Sequence, residues 1–170
     1  MAEYRPRIAD GELRASLAAA GVVLIEGPRA SGKTATARQA AKSEVLLDVD
    51  TQARALADVS PALILEGERP RLIDEWQLAG GVWDHARRAA DAHGVGQFIL
   101  TGSAVPQDDE TRHVGSGRVI RLRMRPMTLS EAGRSAETIS FRSVLEGERV
   151  EAGDPGLTFD RLLDLLCIGG

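Results

Sequence analysis

The sequence predicts an α/β fold in three layers, with a mostly parallel central sheet and helices on both of its faces. Two observations carry this expectation. Short, wholly apolar runs alternate with helix-like stretches between residues 22 and 101. The first of those runs leads directly into Gly27-Pro28-Arg29-Ala30-Ser31-Gly32-Lys33-Thr34, and a helical stretch follows.

Residues 10–20 read as a helix, because Leu13, Leu17 and Ala20 fall on one side and Gly21 ends the pattern. Val22-Val23-Leu24-Ile25 is continuously apolar rather than alternating, which fits a strand covered on both faces. Residues 27–32 form a turn, and a helix runs from Lys33 to about residue 43. Residues 45–49 read as a second buried strand, and 51–58 as a short helix capped by Asp50 or Thr51. Pro61 interrupts, and 62–65 is too short to classify. Residues 71–74 are a third strand, 82–93 a helix ended by Gly94, and 98–101 a fourth strand. Strands alternating with helices imply parallel pairing with helices on both faces. Ligands in such sheets bind beyond the carboxyl ends of the strands. The loops after Ile25, Asp74 and Leu100 are therefore expected along one edge.

After residue 101 the pattern changes. Residues 105–116 are polar and contain glycine, and are expected to be a mobile loop. Residues 119–125 alternate, with Ile120, Leu122 and Met124 on one face and Arg121, Arg123 and Arg125 on the other. That is a half-buried strand near a sheet edge. Residues 129–133 read as one helical turn, 137–155 as linker-like, and 157–168 as an amphipathic helix. The expected plan is a first, α/β domain over residues 1–135, a linker over 136–156, and the start of a truncated, mostly helical second domain over 157–170. A lone terminal helix has little to pack against, so a longer protein is expected.

The composition bounds the function. With 170 residues, 43% apolar and 27% charged, the chain is an ordinary globular protein of about one domain. Aromatics make up only 4%, so Leu, Val, Ile and Ala must fill the core. A net charge of −4 argues against a dedicated nucleic-acid binder and leaves room for a local basic patch. The single Cys167 excludes an intrachain disulfide and a cysteine-based metal site. No apolar run approaches the ~20 residues a membrane span needs. Residues 1–10 also lack a signal-peptide core. The expected setting is cytoplasmic, with no membrane partner.

The chemistry lies in residues 27–34, which fit G-x-x-x-x-G-K-[ST] at every fixed position. Gly27 lets the chain turn out of the strand, and Gly32 lets backbone approach a phosphate without a Cβ in the way. The loop N–H groups, those of Arg29, Ala30 and Ser31 and on through Ala35 at the helix start, form an anion nest, and Pro28 lies in the same loop without an N–H of its own. Lys33 reaches the β- and γ-phosphates, and the Thr34 hydroxyl is placed for Mg²⁺. A strand between apolar walls and a helix behind it supply the context that makes the match specific. The expected fold is therefore that of P-loop NTPases.

Leu72-Ile73-Asp74-Glu75 is the partner element: Asp74 points toward the Mg²⁺ shell and Glu75 orients or deprotonates the attacking water. The alternative is two solvated acids at a strand end. No Asn-Lys-x-Asp base reader is present, so a GTPase is disfavoured. At the fourth strand's end Ser103, with Thr101 as second choice, is a candidate to hold the same water or a γ-phosphate oxygen; an ordinary turn is the alternative. Arginines 112, 118, 121, 123 and 125 are the basic concentration of the chain. Arg118 is the candidate arginine finger. Charge protecting an edge strand and contact with nucleic-acid phosphate are the alternatives. His85, His93 and His113 have no metal spacing, and Trp76 and Trp83 read as packing.

With these elements in place the chain resembles the AAA-type ATP-binding proteins of bacteria and archaea that join an N-terminal ATPase domain to a C-terminal domain of unknown function. The resemblance runs through Tyr4-Arg5-Pro6-Arg7, Leu24-Ile25-Glu26-Gly27-Pro28, Ser31-Gly32-Lys33-Thr34, Leu72-Ile73-Asp74-Glu75-Trp76-Gln77 and Leu100-Thr101-Gly102-Ser103. It continues through Gly117-Arg118 and Pro126-Met127-Thr128-Leu129-Ser130-Glu131. It covers residues 4–133 and implies ATP with Mg²⁺ as ligands. It also implies Lys33 and Thr34 on phosphate and metal, Asp74 and Glu75 as the Walker B pair, Ser103 as a sensor and Arg118 as a finger. The function expected is ATP binding with Mg²⁺-dependent hydrolysis coupled to conformational change or to partner binding, with a homo-oligomer or a protein partner ahead of nucleic acid. A binding switch with negligible hydrolysis is the runner-up, and a small-molecule kinase comes after it.

Overall fold

The computed structural model describes residues 3–102, 118–151 and 153–168. The expected mobile loop at 105–116, together with Ser103, lies outside them. By compactness the chain divides into one unit of residues 8–125 and another of residues 1–7 with 126–170.

The first unit begins with helix α1 (Ile8–Ala19) and strand β1 (Val22–Glu26), followed by helix α2 (Lys33–Arg38) and strand β2 (Ser43–Leu46). Helices α3 (Thr51–Val59) and α4 (Pro61–Ile64) lead to strand β3 (Arg71–Asp74). A 3-10 turn (Trp76–Leu78), helix α5 (Val82–His93), strand β4 (Phe98–Gly102) and strand β5 (Val119–Arg123) complete it. The strands form a five-stranded sheet in the order β2-β3-β4-β1-β5. Every pair is parallel. The expected mostly parallel sheet is thus wholly parallel among the described residues, and the alternating 119–125 segment is its outer strand beside β1.

Period-two alternation sorts the strand residues into two cores. Val22, Leu24, Ile73, Phe98 and Leu100 pack with Ala57, Ile64, Val82, Trp83 and Ala86 from α3, α4 and α5. Val23, Ile25, Leu72, Ile99 and Leu122 pack with Leu13 and Leu17 of α1 and Ala37 of α2. Both faces of the sheet are therefore covered, which is why the strands read as unbroken apolar runs. Each such fully buried Leu, Ile or Val contributes about 1.5–3 kcal/mol. Trp76 and Trp83 stack at 5.2 Å between ring centroids, and the pair anchors the 3-10 turn to α5. Asp50 caps α3 by accepting from the Ala53 N–H at 2.9 Å.

Several boundaries differ from expectation. Helix α2 stops at Arg38, well short of residue 43. Strand β2 covers Ser43–Leu46, and the apolar-looking stretch after it is a turn in which Asp50 N–H donates to Leu46 O at 2.9 Å. Val49, expected in a buried strand, is 71% exposed there. Residues 61–64, too short to classify by pattern, are helical with Pro61 at the first turn, where proline loses no hydrogen bond.

In the second unit, Thr128 and Glu131 form a capping box. Glu131 N–H donates to Thr128 Oγ1 at 3.1 Å, and Thr128 N–H donates to Glu131 Oε2 at 2.8 Å. Arg7 Nε donates to Glu131 Oε1 at 3.0 Å. The expected linker contains a helix, α6 (Phe141–Leu145), capped by Ser140. Helix α7 (Phe159–Ile168) follows.

Candidate functional site

The parallel sheet brings the ends of β1, β3 and β4 to one edge, and candidate functional side chains gather there. Gly27 leaves β1 at φ 156, and a Cβ on it would lie 2.4 Å from the Met124 carbonyl oxygen. Only glycine makes this exit. Ala30 adopts φ 62 within the loop, and Gly32 precedes α2 at φ 90. Lys33 is buried to 7% exposure. Its ammonium donates to Gly27 O at 3.0 Å and to Pro28 O at 2.8 Å. The loop of residues 27–34 is therefore closed around its own lysine.

Thr34, in the first turn of α2, donates its hydroxyl to Asp74 Oδ1 at 2.8 Å. Asp74 is the last residue of β3 and 7% exposed. Thr101, fully buried on β4, donates to the same Asp74 oxygen. Register explains the meeting, since Asp74 pairs with Thr101 across the β3–β4 ladder. The β4 strand lies between β1 and β3. The carboxylate on β3 is thus one strand removed from the loop that follows β1.

Glu75 departs from strand geometry at φ 52, ψ 44, a left-handed conformation uncommon for a non-glycine residue. Its carboxylate Oε2 accepts from the Gln77 side-chain amide. Glu75 is half-buried at the same edge as Asp74.

A family model described as an AAA domain matches residues 19–133, more than half of the chain. The chain belongs to the AAA domain family. No curated protein matches it. Family membership makes this a nucleotide-binding domain of the ATPase type and agrees with the α/β architecture.

Within the AAA domain, the structure brings together Gly27, Lys33, Thr34, Asp74 and Glu75, with Pro28, Arg29, Ala30, Ser31 and Ala35 carried on the same loop and helix start. It does not bring Arg118 to them. Val22 N–H donates to Arg118 O at 3.0 Å, so Arg118 sits at the amino end of β1 and β5. The loop of residues 27–34 lies at the other end of β1, about 16 Å away at ~3.3 Å per residue. There Arg118 pairs with Asp91 of α5 at 2.7 Å. Ser103 lies outside the described residues.

Two contributors escaped sequence reasoning. Thr101 ranked second to Ser103 as a holder of the water or of a γ-phosphate oxygen, and its hydrogen bond to Asp74 was not foreseen. Gln77 carried no assigned role. The signal for Thr101 was present, because a lone hydroxyl in a wholly apolar strand needs a buried partner. Among the described residues no cluster of His, Cys, Asp and Glu forms a metal site, and no helix is long and apolar enough to cross a membrane.

Proposed function

We propose that this AAA domain binds ATP with Mg²⁺ and hydrolyses it to ADP and phosphate. The observation that carries the proposal is the tie of Thr34 to Asp74 directly behind a loop that only glycine can enter. A hydroxyl and a carboxylate are the hard oxygen donors Mg²⁺ takes, and Mg²⁺ retains waters alongside few protein ligands. Thr34 and Asp74 would hold the ion, which when bound neutralises charge on the β- and γ-phosphates. The backbone of residues 27–34 and Lys33 hold the phosphates. Glu75 accepts a proton from the water that attacks the γ-phosphorus as the bond to ADP breaks. In this reading Ser103 contributes a polar group beside the γ-phosphate. A finger role for Arg118 acts only on nucleotide held by a second copy of the chain, which ties that role to a homo-oligomer. A cytoplasmic setting belongs to the same proposal.

The test is ATP turnover with Mg²⁺ by the wild-type chain, Lys33→Ala and Glu75→Gln, with nucleotide binding followed by thermal shift. Lys33→Ala is expected to lose the shift and the turnover. Glu75→Gln is expected to keep the shift and lose about 10²-fold or more in turnover. Wild-type turnover in Glu75→Gln sinks the assigned role.

A second reading, a nucleotide-dependent switch with negligible hydrolysis, draws support from Arg121, Arg123 and Arg125, exposed along the outer strand segment. Its nucleic-acid form requires binding that weakens steeply with salt and weakens further in the triple alanine variant. A protein partner is its other form.

A further inference from the structure

Gln77 is unassigned by the family match and by the reading above, yet its surroundings are specific. It rides the 3-10 turn that Trp76 fixes in the core, at 2% exposure and stacked on Trp83. Its amide nitrogen donates to Glu75 Oε2. Among the described residues, its buried amide oxygen finds no hydrogen-bond partner, and neither does Trp76 Nε1. Both of those atoms crowd the end of β4, since a Cβ on Gly102 would lie 2.4 Å from Gln77 Oε1 and 3.3 Å from Trp76 Nε1.

These facts constrain one another. A buried acceptor without a partner is destabilising, so a carboxamide free to choose would not orphan its oxygen. Turning the amide over would set its oxygen against the Glu75 carboxylate. The hydrogen bond to Glu75 therefore decides the orientation, and the missing side chain of Gly102 supplies the room. Parallel register gives the arrangement a second half. On one face of the sheet Thr101 holds Asp74, and on the opposite face the neighbouring Gly102 seats the group that holds Glu75. Two consecutive residues of β4 thus set Asp74, which ends β3, and Glu75, which follows it.

We propose that Gln77 is a positioning residue for Glu75, holding its carboxylate at the phosphate-loop edge through a carboxamide seated on Gly102. The proposal rests on the hydrolytic role of Glu75 given above. It places catalytic competence, rather than nucleotide affinity, under the control of the β4 end. A displacement of Gly102 moves the carboxamide and with it the carboxylate.

The test uses Gln77→Met, which keeps the length and removes both the donor and the orphaned oxygen. With Mg²⁺ and ATP, kcat is expected to fall roughly tenfold or more, as misplacement of a reacting group does. KM and the nucleotide-induced thermal shift stay within about twofold of wild type, because the phosphate loop is untouched. The melting temperature is unchanged or raised, a combination that mere structural damage does not produce. Gly102→Ala, which displaces the carboxamide by its Cβ, lowers kcat in the same way. Neither substitution lowers the residual rate further in a Glu75→Gln background, since residues acting through one group are not additive. Turnover by Gln77→Met within twofold of wild type overturns the proposal and leaves the hydrolytic reading standing. Loss of the thermal shift together with turnover assigns Gln77 to the scaffold and also overturns it. No turnover by the wild-type chain removes the hydrolytic reading and the proposal together.

Discussion

Thr101→Val isolates one hydrogen bond in the deepest part of the site. Thr101 is 0% exposed and Asp74 7%, so water does not replace the lost hydroxyl. The donor meets a carboxylate, and bonds to charged groups contribute about 1.5–3 kcal/mol to stability. Valine matches the shape of threonine, so no cavity term is added. Asp74 keeps Thr34 as a donor at 2.8 Å, which prevents complete loss of its partners. The expected destabilisation is therefore about 2–3 kcal/mol, read as a shift in urea midpoint with an unchanged slope. At about 2–4 °C per kcal/mol for a chain of this length, the melting temperature falls by roughly 4–12 °C. Thr101→Ser keeps the hydroxyl and loses a methyl group, at about 1 kcal/mol. Valine must be the more damaging of the two. If valine is tolerated and serine is not, the hydroxyl is not bound to Asp74, and the account of how β4 orders the acidic end of β3 is wrong.

Gly27→Ala sets a Cβ 2.4 Å from the Met124 carbonyl oxygen, so the loop must open. It is expected to abolish the ATP-induced thermal shift, and an undiminished shift refutes the glycine argument. Arg118→Ala removes an exposed pair with Asp91 whose side chains are 56% and 37% exposed. Stability should change by no more than about 0.5 kcal/mol, and titration should find the nucleotide affinity of the single chain unaltered. Trp83→Ala deletes a buried ring of the α5-side core and should cost about 3–5 kcal/mol in urea unfolding.

Much of this was legible in the sequence because burial on both faces leaves a strong mark. The runs Val22–Ile25, Arg71–Asp74 and Phe98–Thr101 were strands for the reason expected, and α5 ended at the glycine that announced it. The turn between β1 and α2 was legible because Gly27 and Gly32 answer backbone needs that other residues meet poorly. The position of Arg118 was not legible, for a definite reason. An alternating outer strand fits parallel and antiparallel pairing equally well, and its direction decides which sheet edge receives the residue before it. Leu46-Leu47 followed by Val49 misled because a turn with one buried leucine has the same local composition as a strand. The left-handed Glu75 is a local conformation with no compositional sign, and the seating of Gln77 on Gly102 is a contact between residues distant in the chain.

The stacked tryptophans have a practical consequence. They are the chain's 2 tryptophans, and one of them follows Glu75 directly. Both rings sit away from water, and the indole N–H of Trp76 faces the end of β4. Intrinsic fluorescence from this pair therefore reads the turn behind the acidic residues without an attached dye. Adding ATP or ADP to the unlabelled chain and following emission wavelength and quenching turns the core itself into the indicator of nucleotide state.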